Sequence, residues 1–508
     1  MLQFVPEALA QTFEVSILVS LAIGTIAGII IGALPGLGTV LGLVMALPFT
    51  FVLEPPTAVA LLLAIYVSSI YGGSISAILI NVPGTPQSAA TVFDGYPMAR
   101  RGDAPLALGY ATMASFAGGI FSLAVLVLVA PQLAKVALLF GPIETFALIF
   151  FSLTTVAWVS SGEMIKGLLS ATIGLFLALI GPDSMTGQIR FSFDNLFLSA
   201  GLTVIPLLIG FFAVSEILYQ AATLKDVRIL SVPEGGFKIP PWPAWRPRLV
   251  TLARSCGIGS FIGVLPGTGA TAAVFISYAD AKRRAPNPEE FGKGEPGGLI
   301  ASEASNNAVS GGAMVPMLAL GIPGDGGTVV MMGALTIHSV IPGVRLFSEQ
   351  PDLVTQIFVL LLVANLFMVF FGALGSNLFS RMLRLPVTLL MPLVLLMSLV
   401  GAFAIRSNPV DLIAVIVFGL AGFLLRLNRF PPAPIIIAFV LGEPLELAFR
   451  QGLVLTDKDF LQFFASPIAS ILFAISALIL LNLFGLGGMA GKYFKRNGVK
   501  RNPRNPVA

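Results

Sequence analysis

Hydrophobic positions in this chain come in long blocks rather than in alternation. Val15–Ile31 is the first, and residues 58–95, 104–130, 136–157, 164–182 and 197–222 follow. Later blocks lie near 386–405, 410–425, 431–449 and 466–487. Runs of about 20 apolar residues match helices that cross a hydrocarbon core of about 30 Å. Barrel strands would instead give segments of alternating polarity. The pattern predicts an all-α polytopic membrane protein with about 10–12 membrane segments.

Several blocks are broken where a crossing helix should be smooth. "GALPGLGT" (32–39) interrupts the first, and "GVLPGTGA" (263–270) returns in the second half. Gly28, Gly32, Leu34, Pro35, Gly36 and Gly38 match Gly259, Gly263, Leu265, Pro266, Gly267 and Gly269. Downstream, "GGSISAILINVPGT" (72–85) resembles "GGAMVPMLALGIPGD" (311–325). The chain therefore reads as a repeat over 1–222, a linker over 223–248 and a second repeat over 249–508.

Charge placement gives the expected orientation, because Lys and Arg favour the cytoplasmic side. The linker carries Lys225, Arg228, Lys238, Arg246 and Arg248, with Arg254 just beyond it; the tail carries Lys492, Lys495, Arg496, Lys500, Arg501 and Arg504. Arg100 with Arg101, Arg381 with Arg384, and Arg426 with Arg429 mark further inside turns. The first 14 residues have no Lys or Arg and no signal-peptide n-region, so the N-terminus is expected outside and the C-terminus inside. The first repeat then starts outside and the second inside. Inverted repeats with paired broken helices are a transporter architecture, and the breaks point to the transport site.

Arm lengths suggest re-entrant hairpins. Leu249–Val264 gives about 24 Å of helix, and only ten residues separate the second break from Asp280 and Lys282–Arg284. The first copy has longer arms and ends at "LEPP" (53–56), so two full crossings stay open there.

The four breaks centre on Pro35, Pro83, Pro266 and Pro323. Bared N–H groups at a helix start favour an anion, and freed carbonyls favour a cation. Gly36, Gly38, Gly84, Gly267, Gly269 and Gly324 supply backbone, while Thr39, Thr85, Thr268 and Thr271 add hydroxyls. Asn81 precedes the Pro83 break. "ASEASNNAVSGG" (301–312) places Glu303, Asn306, Asn307 and Ser310 on one helix face, which should meet protein or a cavity. Asn306 and Asn307 suit a carboxylate or Na⁺. Asn81, Glu303, Asn307, Ser310 and Asp325 are the coupling-ion candidates. The blander expectations are that Glu303 caps a helix near Gly297–Gly298, that Asp325 caps the next helix, that Asp94 is a turn or interface residue, and that His338 is peripheral.

Composition narrows the class. The chain is 56% hydrophobic and 11% charged, with one Cys (Cys256) and one His (His338). That leaves no disulfide framework and argues against a resident metal cluster. The 53 Gly and 36 Pro fit a membrane bundle, and Gly24, Gly28 and Gly32 form a close-packing stripe. There is no basic, aromatic-laced patch for nucleic acid, no P-loop and no nucleophile–base pair. No catalytic residue and no cofactor is expected beyond co-transported Na⁺ or H⁺.

Six stretches together carry a resemblance. They are "GALPGLGTVLGLVMALPFTF" (32–51), "YGGSISAILINVPGTP" (71–86), "DGYPMARRGDAPLALG" (94–109), "GVLPGTGATAAVFISYADAKR" (263–283), "SEASNNAVSGG" (302–312) and "LGIPGD" (320–325). In these the chain resembles the large membrane subunit of tripartite tricarboxylate transporters. The resemblance implies an ion-transporter-like fold, elevator-like movement and a bacterial inner-membrane location among lipid. It implies a small integral membrane subunit and a periplasmic solute-binding protein as partners. It also implies uptake of di- or tricarboxylates such as citrate by Na⁺ or H⁺ symport. Its motif positions here are Pro35, Gly36, Gly38, Pro266, Gly267, Gly269, Asn81, Pro83, Gly84, Thr85, Glu303, Asn306, Asn307, Gly311, Gly312, Pro323 and Gly324. Ser68 and Asp325 depart from the glycine and the small neutral residue expected there. The competing reading is a scaffold or sensor subunit that docks a binding protein without transporting.

Overall fold

The computed structural model describes residues 2–159, 164–223, 236–267, 269–383 and 409–483, with a few isolated positions between 384 and 408. Thr268, Lys225, Arg228, Arg384, most of the 386–405 block and the basic tail lie outside the described residues. In chain order the helices are α1 (Val5–Thr12), α2 (Val15–Ala33), α3 (Gly38–Thr50), α4 (Pro55–Ile80), α5 (Thr91–Met98) and α6 (Ala104–Ala137). Then come α7 (Pro142–Val159), α8 (Met164–Ala178) and α9 (Val204–Thr223). The second half gives α10 (Leu249–Val264), α11 (Gly269–Arg284), α12 (Pro296–Leu320), α13 (Gly326–Ile337) and α14 (Pro351–Met382). The last are α15 (Pro409–Leu427), α16 (Pro432–Leu455) and α17 (Pro467–Leu483). Among the described residues, seven helices are long and apolar enough to cross a membrane, and strand is limited to Gly181–Pro182 paired with Ile189–Arg190. The protein is an all-α polytopic membrane protein.

Helices α4 and α12 form the centre. Each starts on a proline, which suits the first helical turn, and each is then buried on all faces, over 57–79 and 297–319. Each stops at a left-handed residue, Asn81 at φ 61° and Gly321 at φ 69°, with a proline two positions on. The apolar block 58–95 is thus cut into α4, a connector and α5.

Glycines set the packing. A side chain at Gly24 would meet the Leu61 carbonyl at 2.6 Å, at Gly28 the Ile65 carbonyl at 2.9 Å, and at Gly32 the Ser69 carbonyl at 2.1 Å. α2 therefore runs parallel to α4 with the backbones touching. The second half repeats the pairing of α10 with α12, Gly259 meeting Ser305 and Gly263 meeting Val309. Ser74 meets Glu303, while the earlier Tyr66 reaches Asp325, which follows a glycine packed on Ala313. Hence α4 and α12 run antiparallel. The long α6 lies along α12 and α14 lies along α4, so each half sends a helix across to the centre of the other.

A peripheral group surrounds this core. α7, α8, α16 and α17 pack together, with Phe146 in tilted and edge-on ring contact with Phe449, Phe463 and Phe473, and α9 packs on α15. Arg190 binds both Glu446 oxygens at 2.8 and 3.0 Å, and Arg450 holds Asp183 at 2.5 Å, so the short strand pair is tied to α16.

One end of the molecule gathers the basic segments. Arg248 pairs with Glu295 at 2.7 Å, and Lys238 donates its N–H to Pro105 at the start of α6. Of the turn and interface roles open to Asp94, the structure shows the interface: it is a buried tie. Its Oδ1 accepts the N–H groups of Gly292, Gly294 and Glu295 at 2.8, 2.8 and 2.9 Å, and its Oδ2 accepts the Tyr278 hydroxyl at 2.9 Å. The exit arm α11 has 16 residues, not ten. Asp280 pairs with Arg284 one turn on, at 2.8 Å, so the charged block prolongs the helix instead of ending it.

Gly32→Ala should destabilise the detergent-solubilised protein by about 2 kcal/mol or more through overpacking. Gly257→Ala, with nothing within 4 Å of the added methyl, should be neutral or raise the melting temperature. Equal melting temperatures for the two variants would refute this packing. Asp94→Ala strands three N–H groups and should cost about 3 kcal/mol or more. Asp94→Asn keeps one acceptor and should lose less than half of that in the same melts.

Candidate functional site

The two hairpin tips have one geometry. Leu34 at φ −82°, ψ 114° and Leu265 at φ −80°, ψ 114° end the incoming helices. Gly36 and Gly267 then take φ +90° and +76°, and Gly38 and Gly269 both take +67°, angles that favour glycine. The Gly36 carbonyl accepts the Gln220 amide of α9 at 2.6 Å. At the other tip, the Gly267 N–H donates to the Gly324 carbonyl at 2.7 Å, and a side chain at Gly267 would strike Val156 of α7. Thr39 is buried and meets Gln87 at 3.4 Å, whereas Thr271 is exposed. Pro35 and Pro266 stop helices whose next residues turn back.

The other two breaks fold back against the same centre. Gly84 packs on Gly32 and Gly73, and Gly324 packs on Ala313, each too closely for any side chain. Pro83 and Pro323 precede them and cannot continue a helix. Both breaks end in a capping box, Thr85 with Ser88 and Asp325 with Thr328. The Asp325 carboxylate accepts the Thr328 N–H at 2.8 Å, the Thr328 hydroxyl at 2.9 Å and the Tyr66 hydroxyl at 2.7 Å. It caps α13 and ties it to α4. The Asn81 side chain is exposed at its helix end.

Glu303, Asn306, Asn307 and Ser310 are all buried on α12. Glu303 is not the expected helix cap; Glu295 fills that role, accepting the Gly297 N–H at 3.1 Å. Glu303 instead accepts hydroxyls from three other helices: Ser74 of α4 at 2.5 Å, Ser115 of α6 at 3.0 Å, and Thr91 of α5. Among the described residues no Lys, Arg or His pairs with it. Both polar side-chain atoms of Asn306, and both of Asn307, are buried without a hydrogen-bond partner among the described residues. Ser310 is satisfied by the Asn307 carbonyl at 2.6 Å.

These facts set the chemistry. An unmade hydrogen bond on a buried amide costs about 1–3 kcal/mol, so four such atoms on one helix mark a place suited to a polar ligand. Two amides offer donors to a carboxylate and acceptors to a cation. A carboxylate buried without a basic partner is costly unless a proton or cation accompanies it.

Sequence reading missed Ser74, Thr91 and Ser115, because hydroxyls in small-residue runs look like packing. It also missed Tyr66, Gln220 and Asn365. Asn365 of α14 donates to the Leu361 carbonyl at 2.8 Å, while its buried oxygen lies against Gly119 of α6 without a partner. Ser68 is buried against Gly28 with its hydroxyl unpartnered. A groove of about 730 Å³ between α6 and α14, lined by Leu123, Val127, Phe347 and Phe358 with Lys135 among them, contains none of these groups. Its apolar wall suits acyl chains better than a polyanion.

Comparison with known proteins gives the family. The family model described as the tripartite tricarboxylate transporter TctA family matches residues 18–437. The chain is 36% identical over 446 residues to an uncharacterized 52.8 kDa protein in the TAR-I ttuC' 3' region of Agrobacterium vitis, covering 86% of this chain and 87% of that protein. It is 34% identical over 217 residues to an uncharacterized protein in the TAR-II ttuC' 3' region of the same organism, covering 43% of this chain and 90% of that protein. No solved structure matches. The matched span takes in both hairpin tips, both folded-back breaks and the polar face of α12, and the chain belongs to the tripartite tricarboxylate transporter TctA family.

Proposed function

We propose that this chain is the translocation subunit of a binding-protein-dependent secondary transporter that takes up di- or tricarboxylates by Na⁺ or H⁺ symport. The observation that carries the reading is the pair of buried, unpartnered amides, Asn306 and Asn307, on the same helix face as Glu303. In this reading the amides, with backbone near Gly36, Gly84, Gly267 and Gly324, hold solute carboxylates. Glu303 takes the coupling ion, so that solute charge does not cross low dielectric uncompensated. The partners are a small membrane subunit and a periplasmic binding protein.

The chain is read as two inverted repeats, 1–222 and 249–508, joined by a cytoplasmic linker, with a periplasmic N-terminus in the bacterial inner membrane. Three features support this. α4 and α12 are antiparallel while each runs parallel to its own hairpin's first arm. Arg101, Arg248 and the connector after Lys282–Arg284 meet at one end, as the positive-inside rule asks of cytoplasmic loops. The arms α3, α10 and α11 have 13, 16 and 16 residues, or about 20 to 24 Å, which is short of a full crossing. Elevator movement fits the contacts of the tips, since Gly36 meets α9 and Gly267 meets α7, both in the peripheral group.

Proteoliposomes containing the chain with its small subunit and binding protein test the reading. Uptake of labelled citrate or succinate should require a Na⁺ or pH gradient, and Asn307→Ala should lower it about tenfold or more. Glu303→Gln should keep solute exchange yet lose gradient-driven accumulation. Uptake indifferent to both gradients contradicts symport. Undiminished uptake without this chain favours a scaffold.

A further inference from the structure

The two folded-back breaks share one pattern, and it extends into the helices before them. Asn81, Pro83, Gly84, Thr85 and Ser88 correspond in order and spacing to Gly321, Pro323, Gly324, Asp325 and Thr328. Asn81 at φ 61°, ψ 23° matches Gly321 at φ 69°, ψ 25°. Gly84 packs on Gly73 and Gly324 on Ala313, and those two positions correspond as well. Carried back at the same offset, Tyr66 of α4 corresponds to Asn306 of α12.

At the second break the pattern is filled by a side chain of the protein. The Asp325 carboxylate lies between the Thr328 N–H, the Thr328 hydroxyl and the Tyr66 hydroxyl, a donor from the central helix of the other half. At the first break the donors have counterparts but the carboxylate does not. Ser88 stands for Thr328 and Asn306 stands for Tyr66. Thr85 stands for Asp325, and its hydroxyl meets only Ser88, at 3.2 Å. Asn306 is buried, and neither atom of its amide has a partner.

We infer that Asp325 is a built-in carboxylate that closes the second half-site, and that a carboxylate of the solute takes the corresponding place at the first, against Asn306, Thr85 and Ser88. The inference rests on the carboxylate reading above and narrows it. The two pseudo-equivalent breaks divide their labour. One binds cargo, and the other is locked to α4 by its own acid and keeps α13 in place. Asp325 thereby sets how many solute carboxylates the breaks can hold.

Equilibrium dialysis of the full-length chain in detergent, with labelled citrate and labelled succinate as probes, tests this alongside thermal melts. The wild type should bind a probe. Asn306→Ala should weaken binding about tenfold or more. Thr85→Asp installs the internal carboxylate at the first break and should abolish binding, while melting no lower than Thr85→Asn. Asp325→Ala should melt at a lower temperature and regain part of the loss in formate, which fills the opened half-site; formate should raise the wild-type melt less than that of Asp325→Ala. Wild-type affinity in Thr85→Asp, or in Asn306→Ala, overturns the inference even if Thr85→Asp folds poorly, since Asn306→Ala reports independently. Formate without effect on Asp325→Ala also overturns it. If the wild type binds neither probe, the carboxylate reading fails and takes this inference with it.

Discussion

Two helices surrounded by protein on every side impose the terms on everything else. No backbone or side-chain polar group on α4 or α12 can turn to water, and none can be left to lipid without cost. The rest of the architecture follows. Glycine stripes let α2 and α10 lie directly on those helices. The breaks after Asn81 and Gly321 fold back into protein, where capping boxes satisfy their helix starts. The crossing of α6 onto α12 and of α14 onto α4 closes the remaining faces. Polar groups that survive in such a place without partners are the exception that needs a ligand to explain it.

Two buried carboxylates, Asp94 and Glu303, and the half-buried Asp325 show how differently this constraint is met. Asp94 takes three backbone N–H groups and pins the connector ahead of α12. Asp325 takes an N–H and two hydroxyls and pins α13 to α4. Glu303 takes only hydroxyls, from three separate helices, so its charge state is coupled to the spacing of α4, α5 and α6 around α12. A coupling ion arriving there would alter the same contacts that hold the central helices together. Under the proposed symport, that would be a physical route from ion binding to the shape of the bundle.

Much of this was legible in the sequence, and the reason is local physics. Apolar block length gave the class, and proline with glycine gave the four breaks. Helical periodicity put Glu303, Asn306, Asn307 and Ser310 on one face, and three of the basic residues, Arg101, Lys238 and Arg248, belong to segments that meet at one end. What stayed hidden depends on contacts distant in sequence. A carboxylate such as Asp94 beside two arginines looks like a turn until three N–H groups from residues 292–295 surround it. Glu303 left helix cap and ion carrier equally open because its partners, Ser74 and Ser115, belong to other helices. Asp325 left cap and ion ligand equally open until Tyr66 was placed beside it. The pairing of Tyr66 with Asn306 was within reach, since a strict alignment of the two breaks carries it, but only the dihedrals at Asn81 and Gly321 fix the register.

The central claim is that the unpartnered amides of α12 receive the solute. The most direct measurement is an experimental structure of the protein bound to a bromine-labelled dicarboxylate, with the bromine located by its anomalous signal. The account predicts a carboxylate within about 3 Å of the Asn306 or Asn307 amide. A ligand located elsewhere, for example in the apolar groove between α6 and α14, with both amides still unpartnered, would contradict it.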